Sequence, residues 1–327
     1  MTRPLPKIAL RTFLAAIAVA CLDVAVAQAQ SHPARPIKLI LPYTPGSPND
    51  VLARLVAPHL SARLGQPVVV DNRPGGGTTI GVNAVMTAEP DGTTLLFSNS
   101  PSHLIAPAVN TTFSYDPLKD FVPVATVAAG SNVIVIGNAV PAMTVQEFVA
   151  HAKANPGKLN FGFGQGTLPQ LVGEMFKLAA GLDITSVPYK GGAQAITDLM
   201  GGRIDLNIGT ASTLLPLHRA GRLKMIGYTG ATRAPDMPDI PTLVESGYPT
   251  MISTTYYGIF ARADVPADVV NRLNSEVNAI VKLAEVKDAM AKIGFEPMPL
   301  SPRELSALLA AEAPKWTAIV KATGFQM

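Results

Sequence analysis

The chain of 327 residues has one cysteine, one tryptophan, few aromatic side chains and no strong excess of charge of either sign. Each scarcity excludes something. A lone cysteine cannot build a disulfide framework or a thiolate metal site. The five histidines, at positions 32, 59, 103, 151 and 218, show no metal-ligand spacing. No G-x-S-x-G elbow, H-E-x-x-H helix or Walker loop occurs, so a hydrolase, a zinc protease and a nucleotidase all lack their usual signatures. Lys/Arg runs are missing as well, which removes the footprint of a nucleic-acid or anionic-membrane partner.

What is present begins with a removable leader. Arg3, Lys7 and Arg11 precede the apolar stretch TFLAAIAVACL and the small residues AVAQA, the layout of a secretory signal peptide cleaved after Ala27 or Ala29. Cys21 lies inside it and either leaves with it or becomes a lipid anchor; Ala18, Val19 and Ala20 match a lipoprotein pattern only weakly. Three of the 26 basic and one of the 23 acidic residues fall in this segment, leaving 23 against 22 and a near-neutral mature chain. No later stretch reaches ~18 uninterrupted apolar residues, so an exported, soluble, periplasmic protein is expected.

Beyond residue 30, apolar β-rich runs alternate with helical patterns, which predicts a parallel α/β sheet. IKLILPY is followed by a helix expected from Asp50 to Leu64, with Pro58 inside it as a kink and Gly65 as its stop. PVVV, a helix over 79–88 and TTLLFSNS complete a first run. After the candidate hinge strands VPVATVAAGSNVIVIG, a second run starts at the capping-box spacing of Thr144 and Glu147 and ends at LKMIGY. TTYYGIFAR then leads into helices expected at 266–283, 284–294 and 302–323, the last opened by Ser301, Pro302 and Glu304. Those terminal helices need a sheet to cover, and the first run is short of helices. The expected organisation is therefore a leader at 1–29, a discontinuous domain from 30–128 and 250–327, and an inserted domain at 129–249.

Four stretches carry candidate chemistry. LPYTPGSPND places Tyr43, Thr44, Gly46, Ser47, Asn49 and Asp50 between a strand end and a helix start, where unpaired N–H groups and a positive dipole end meet an anion. A plain turn capped by Asp50 explains the same residues. DNRPGGGTTIG brings Gly76, Gly77, Thr78 and Thr79 to a tight turn; its glycines are in the wrong order for a dinucleotide fingerprint. GFGQGTLPQ repeats the first arrangement with Gly164, Gln165, Gly166 and Thr167, so that two lobes can close on one anion. VPYKGG sets Tyr189, Lys190 and Gly191 at a strand's carboxyl end, where Lys190 is either a counter-charge or an ordinary solvated lysine.

These stretches, with PDGTTLLFSNS, VPYKGGAQAITDLMGGRIDL, HRAGRLKMIGYTGATRAPDMPDIPTLVESGYP and TTYYGIFARADVP, resemble the tripartite tricarboxylate transporter substrate-binding proteins, the Bug family, in order and over nearly the whole mature chain. The resemblance implies a periplasmic-binding-protein type II fold, two α/β lobes joined by hinge strands. It also implies a receptor that closes on a small organic carboxylate and delivers it to membrane transporter subunits, usually as a monomer, without cofactor, metal or catalysis. It further implies that Tyr43–Asp50 and Gly164–Thr167 grip a carboxylate, with Gly76–Thr79, Ser98, Asn99, Ser100, Tyr189–Gly191 and Thr210, Ala211 and Ser212 as walls. Pro45-Gly46-Ser47 replaces a more familiar proline-glycine-glycine, Gln170 stands where a histidine is frequent, and Gly209 where an aspartate is frequent. Without that acid, a ligand with an ammonium group would lack its counter-charge. Under the same reading Asp50 caps the first helix and leaves the loop N–H groups to the ligand. A ligand sensor acting on a signalling membrane partner would use the same fold, and a periplasmic enzyme would need a cleft acid/base pair that the histidines do not supply.

Overall fold

The computed structural model describes residues 33, 35–109, 115–165 and 167–325. The expected leader with Cys21, and the candidate site residue Gly166, lie outside the described residues.

Strand β1 (Ile37–Leu41) buries all its side chains but Lys38, as an apolar parallel strand inside a sheet does. Helix α1 (Pro48–Leu64) follows it and starts two residues earlier than the sequence pattern suggests. Ser47 is its N-cap, accepting the Asp50 N–H at 3.4 Å, and Pro48 opens the first turn, where a missing N–H costs nothing. The expected cap at Asp50 is thus corrected. Leu52, Val56, Leu60 and Leu64 form the buried stripe, and Gly65 ends the helix in the left-handed region at φ 68°. Pro58 sits on the exposed face of a helix that continues through it, so the carbonyl it leaves unpaired faces water.

Strand β2 (Val68–Asn72), a 3-10 turn at Gly76–Thr78, helix α2 (Thr79–Met86), strand β3 (Thr94–Asn99) and the short helices α3 (Ser100–Leu104) and α4 (Ala106–Val109) complete the first run. Strand β4 (Phe121–Ile136) then leads to α5 (Val145–Ala154), β5 (Asn160–Gly164), α6 (Leu168–Ala180), β6 (Thr185–Tyr189), α7 (Gly192–Met200), β7 (Leu206–Thr210), α8 (Ala211–Arg219) and β8 (Lys224–Tyr228). The chain returns through β9 (Thr254–Arg262), α9 (Ala267–Ile280), α10 (Ala284–Lys292), the two-residue strand β10 (Glu296–Pro297) and α11 (Pro302–Thr323), which opens with the full Ser301/Glu304 capping box.

The strand order is β2-β1-β3-β9-β4-β7-β5-β6, with β10 and β8 also paired to β4. Strand β4 is the bridge. Up to Ser131 it pairs antiparallel with β9, and from Asn132 onward it pairs with β7 and β8. One strand therefore serves two half-sheets, each with its own helices, and the fold is two α/β lobes. The junction is knitted by polar groups: Ser131 Oγ meets Thr254 Oγ1 at 3.1 Å, while Thr229 Oγ1 accepts the Asn132 N–H and donates to Ser253 O. Apolar clusters fill both faces of both half-sheets. One of them joins Leu171 of α6 to Trp316 and Val320 of α11, so helices of the two lobes pack together directly.

Candidate functional site

In parallel α/β sheets ligands bind beyond the carboxyl ends of the strands. Here those ends, of β1 and β3 in one half-sheet and β5, β6 and β7 in the other, point to the β4 junction.

The loop after β1 is organised by a carboxylate. Asp50 is buried and accepts from the Gly46 N–H at 3.0 Å, from Arg54 Nε at 3.0 Å and from Asn72 Nδ2 at 2.9 Å. Burial alone would raise its pKa, but these donors outweigh it and hold the carboxyl below its usual range. The Ser47 N–H is taken by Thr44 O at 3.2 Å. Two loop amides that the sequence reading left to a ligand, those of Gly46 and Ser47, are therefore used within the loop. Thr44 and Gly46 are exposed, and Gly46 takes φ 80°. Asn49 is buried with its Oδ1 unpartnered in the protein. Tyr43 turns its hydroxyl inward, 2.6 Å from Ser102 Oγ and 3.3 Å from Ser98 Oγ, and burial raises its pKa. Asn99 caps α3, and Ser100 Oγ accepts the Tyr256 N–H, tying the end of β3 to β9.

The glycine-rich turn is strained. Gly75, Gly76, Gly77 and Thr78 all have positive φ, and Thr78, at 85°, is the sole non-glycine residue in that region among the described residues. Such a conformation costs a threonine about 1–2 kcal/mol and clusters at functional positions. Thr79 Oγ1 donates to Gly76 O at 2.7 Å. Inside α2, a Cβ at Gly81 would lie 2.9 Å from Pro42 Cα and 3.0 Å from Arg73 O, so this helix and the first loop meet backbone to backbone.

In the other half-sheet, α6, α7 and α8 begin at the ends of β5, β6 and β7, and none has a side-chain cap. Thr167, at the N-cap position of α6, donates its hydroxyl back to Gly164 O at 2.7 Å instead of accepting from the helix. Gln165 N–H goes to Tyr189 O, and a Cβ at Gly164 would sit 3.0 Å from Gly192 N and 3.4 Å from the carbonyl carbon of Gly191, so these two loops touch. The Tyr189 hydroxyl donates to Asp198, which Arg203 also holds, and so faces α7. Lys190 is exposed. Ala211 is buried, and Ser212 Oγ donates to Thr210 Oγ1, which pairs with Thr213. A Cβ on Gly209 would lie 2.7 Å from Leu214 Cδ1: leucine fills the space an acid there would need.

Sequence reasoning missed Arg54, Asn72, Ser102 and Gly81, which position the first loop, because each acts through a distant partner. It also missed Asn132. This side chain is buried opposite Thr210 in the β4–β7 ladder, and its Nδ2 has no partner. Unpaired buried donors are rare and costly. No grouping of three or more metal-ligating side chains occurs among the described residues.

Residues 52–325 match the family described as Tripartite tricarboxylate transporter family receptor, TctC. The chain belongs to that family. BugT of Bordetella pertussis is 32% identical over 329 residues, covering 100% of this chain and 99% of the relative. Rpa4515 of R. palustris, solved with adipate, superposes with a TM-score of 0.79 at 32% identity, covering 90% of this chain and 99% of that one. MatC (Rpa3494) from Rhodopseudomonas palustris, solved with bound malate, gives 0.75 at 27% identity, covering 88% and 99%. The two-lobed TctC fold read from the sequence is the fold of these relatives. No helix among the described residues is long and apolar enough to cross a membrane.

Proposed function

We propose that this TctC-family protein is a periplasmic receptor that captures a small organic carboxylate lacking an α-amine between its lobes and delivers it to a tripartite tricarboxylate-type membrane transporter. The observation that carries the reading is the row of three helix N-termini without side-chain caps, α6, α7 and α8, along one edge of the second half-sheet. Such termini offer N–H groups and a positive dipole end. The acid within the candidate loops, Asp50, has its carboxylate engaged by Arg54, Asn72 and Gly46, so it offers little to a ligand ammonium. Relatives solved with adipate and malate support the ligand class.

The lobes divide near residues 128 and 250, a few residues before β4 changes partners after Ser131 and before β9 begins at Thr254. Tyr43–Asp50, Gly76–Thr79 and Ser98–Ser100 form one wall; Gly164–Thr167, Tyr189–Gly191 and Thr210–Ser212 form the other, with Asn132 at the floor. An anion that touches both walls favours the closed arrangement by its differential affinity for it. The protein is exported through residues 1–29, acts as a monomer and performs no catalysis.

The test is thermal unfolding of the chain from residue 30 onward with adipate, malate, citrate and benzoate, against amino acids, sugars and nucleotides. A ligand at a hundred times its dissociation constant adds about 2.7 kcal/mol. A raised midpoint confined to carboxylates is expected; a shift produced by amino acids, or by no carboxylate, overturns the reading.

A further inference from the structure

Away from the candidate cleft, an open groove of 760 Å³ lies between α6 and α11. Met175, Leu178 and Ala179 supply one wall, at helical spacing along α6. Ala318, Ile319 and Ala322 supply the facing wall from α11, and Met251 and Ile252 of the segment returning to β9 form the floor. Volume and walls fall within the roughly 300–1,000 Å³, mostly apolar, character of small-molecule sites. Among the described residues nothing covers the groove at its rim, where Leu178 is 65% exposed.

One charge lies in this apolar lining, the ammonium of Lys315. It donates to Ile252 O at 2.7 Å and stands 5.2 Å from the centroid of the Trp316 ring. It makes no ion pair with an acidic side chain among the described residues; Glu312, the nearby acid on α11, is engaged by Tyr256 and by Trp316 Nε1. An ammonium has three donors, and the carbonyl takes one. A long apolar trough with one cation left short of a counter-ion suits a molecule with the complementary halves.

We infer that the groove between α6 and α11 is a second ligand site, for an amphipathic organic anion whose hydrocarbon chain lies along the two helices and whose carboxylate meets Lys315. The site is separate from the carboxylate cleft and does not depend on what that cleft binds. Its selectivity differs: the cleft takes a small carboxylate, and the groove takes a single charge on a long apolar tail.

The chain's single tryptophan, Trp316, is beside the head-group position and reports occupancy. The experiment is titration of the full mature protein with dodecanoate, below its micelle concentration, following Trp316 emission, with dodecanol as the uncharged analogue and adipate as competitor. Saturable binding of dodecanoate, undiminished by saturating adipate, is expected. Lys315→Met should weaken dodecanoate by about tenfold, equivalent to 1.4 kcal/mol, and leave dodecanol unchanged. Ala318→Phe, which fills the trough, should abolish both while the thermal midpoint confirms that the variant folds. If Ala318→Phe does not fold, Leu178→Asp at the exposed rim serves the same purpose. Absence of saturable binding, displacement by adipate, or equal affinity of parent and Lys315→Met for dodecanoate would overturn the assignment.

Discussion

The carboxylate of Asp50 accepts the amide proton of Gly46 at 3.0 Å, reaching back from the first turn of α1 into the loop that precedes it. Asp50 therefore shapes the loop from inside, through acceptors on both of its oxygens, while Ser47 caps the helix. Asp50→Asn offers one acceptor oxygen and turns an NH2 toward groups that are already donors. It should lose about 1.5–3 kcal/mol, the range for hydrogen bonds to charged groups, against ~1 kcal/mol for Ser47→Ala. Urea unfolding of the two variants checks the order, and an Asn variant as stable as the parent would show that the second oxygen contributes nothing.

Gly81→Ala should disturb the first loop without touching it chemically. The added methyl meets backbone on both sides, Pro42 Cα and Arg73 O, and backbone yields less readily than a side-chain tip. The expected cost is about 1–3 kcal/mol, with weaker carboxylate affinity because Pro42 leads directly into Tyr43. Calorimetric titration and a melting curve separate the two effects, and unchanged affinity would mean that the loop adapts.

Asn132→Leu tests the floor of the cleft. Replacing a buried amide whose Nδ2 has no partner by an apolar group of similar volume should leave stability equal or improved. If Asn132 Nδ2 serves the ligand, carboxylate affinity falls by about tenfold or more, equivalent to at least 1.4 kcal/mol. A destabilised variant with full affinity would refute that role.

Acid stability should carry the mark of His103. Its ring is buried, stacked on Phe260 with centroids 4.0 Å apart, and burial lowers its pKa to about 4. The unfolded chain takes up this proton near pH 6.5, so between those values the unfolded state binds more protons and stability falls as pH falls. Below about pH 4 both states are protonated and this contribution is flat. The loss amounts to roughly 3 kcal/mol across the window. Denaturant titrations from pH 7 to 4 should show a shallower decline for His103→Gln than for the parent, and parallel slopes would remove His103 from the account. Because α3 carries both His103 and Ser100, the same titration should loosen the end of β3.

The alternation of strands and helices was legible because parallel strands read as apolar runs and helices as 3.6-residue stripes, and both kinds stand out from IKLIL to the last helix. The interior of the first loop was not. Ser47 and Asp50 both belong to residue types that cap helices, and only the position of Asn72, from the next strand, decides which carboxylate oxygen goes where. The positive φ of Thr78 was hidden for a similar reason: three preceding glycines announce a turn but not which residue bears the strain. Asn132 lay inside VPVATVAAGSNVIVIG, where nothing local marks a buried strand amide whose Nδ2 finds no partner.

Strand β4 gives the molecule a constraint on how it varies through descent. Phe121–Ile136 is a single strand shared by both half-sheets, and its register already shifts at Pro123/Ala125, Thr126/Ala128 and Ile134/Val135. Inserting one residue near Gly130 would turn every side chain beyond it to the wrong face, emptying one cluster while crowding another. Length changes in homologous chains must therefore be absorbed in surface connections. Because β4 and one apolar cluster belong to both lobes, a chimera joined within this strand should fold poorly, whereas one joined in a surface connection should not.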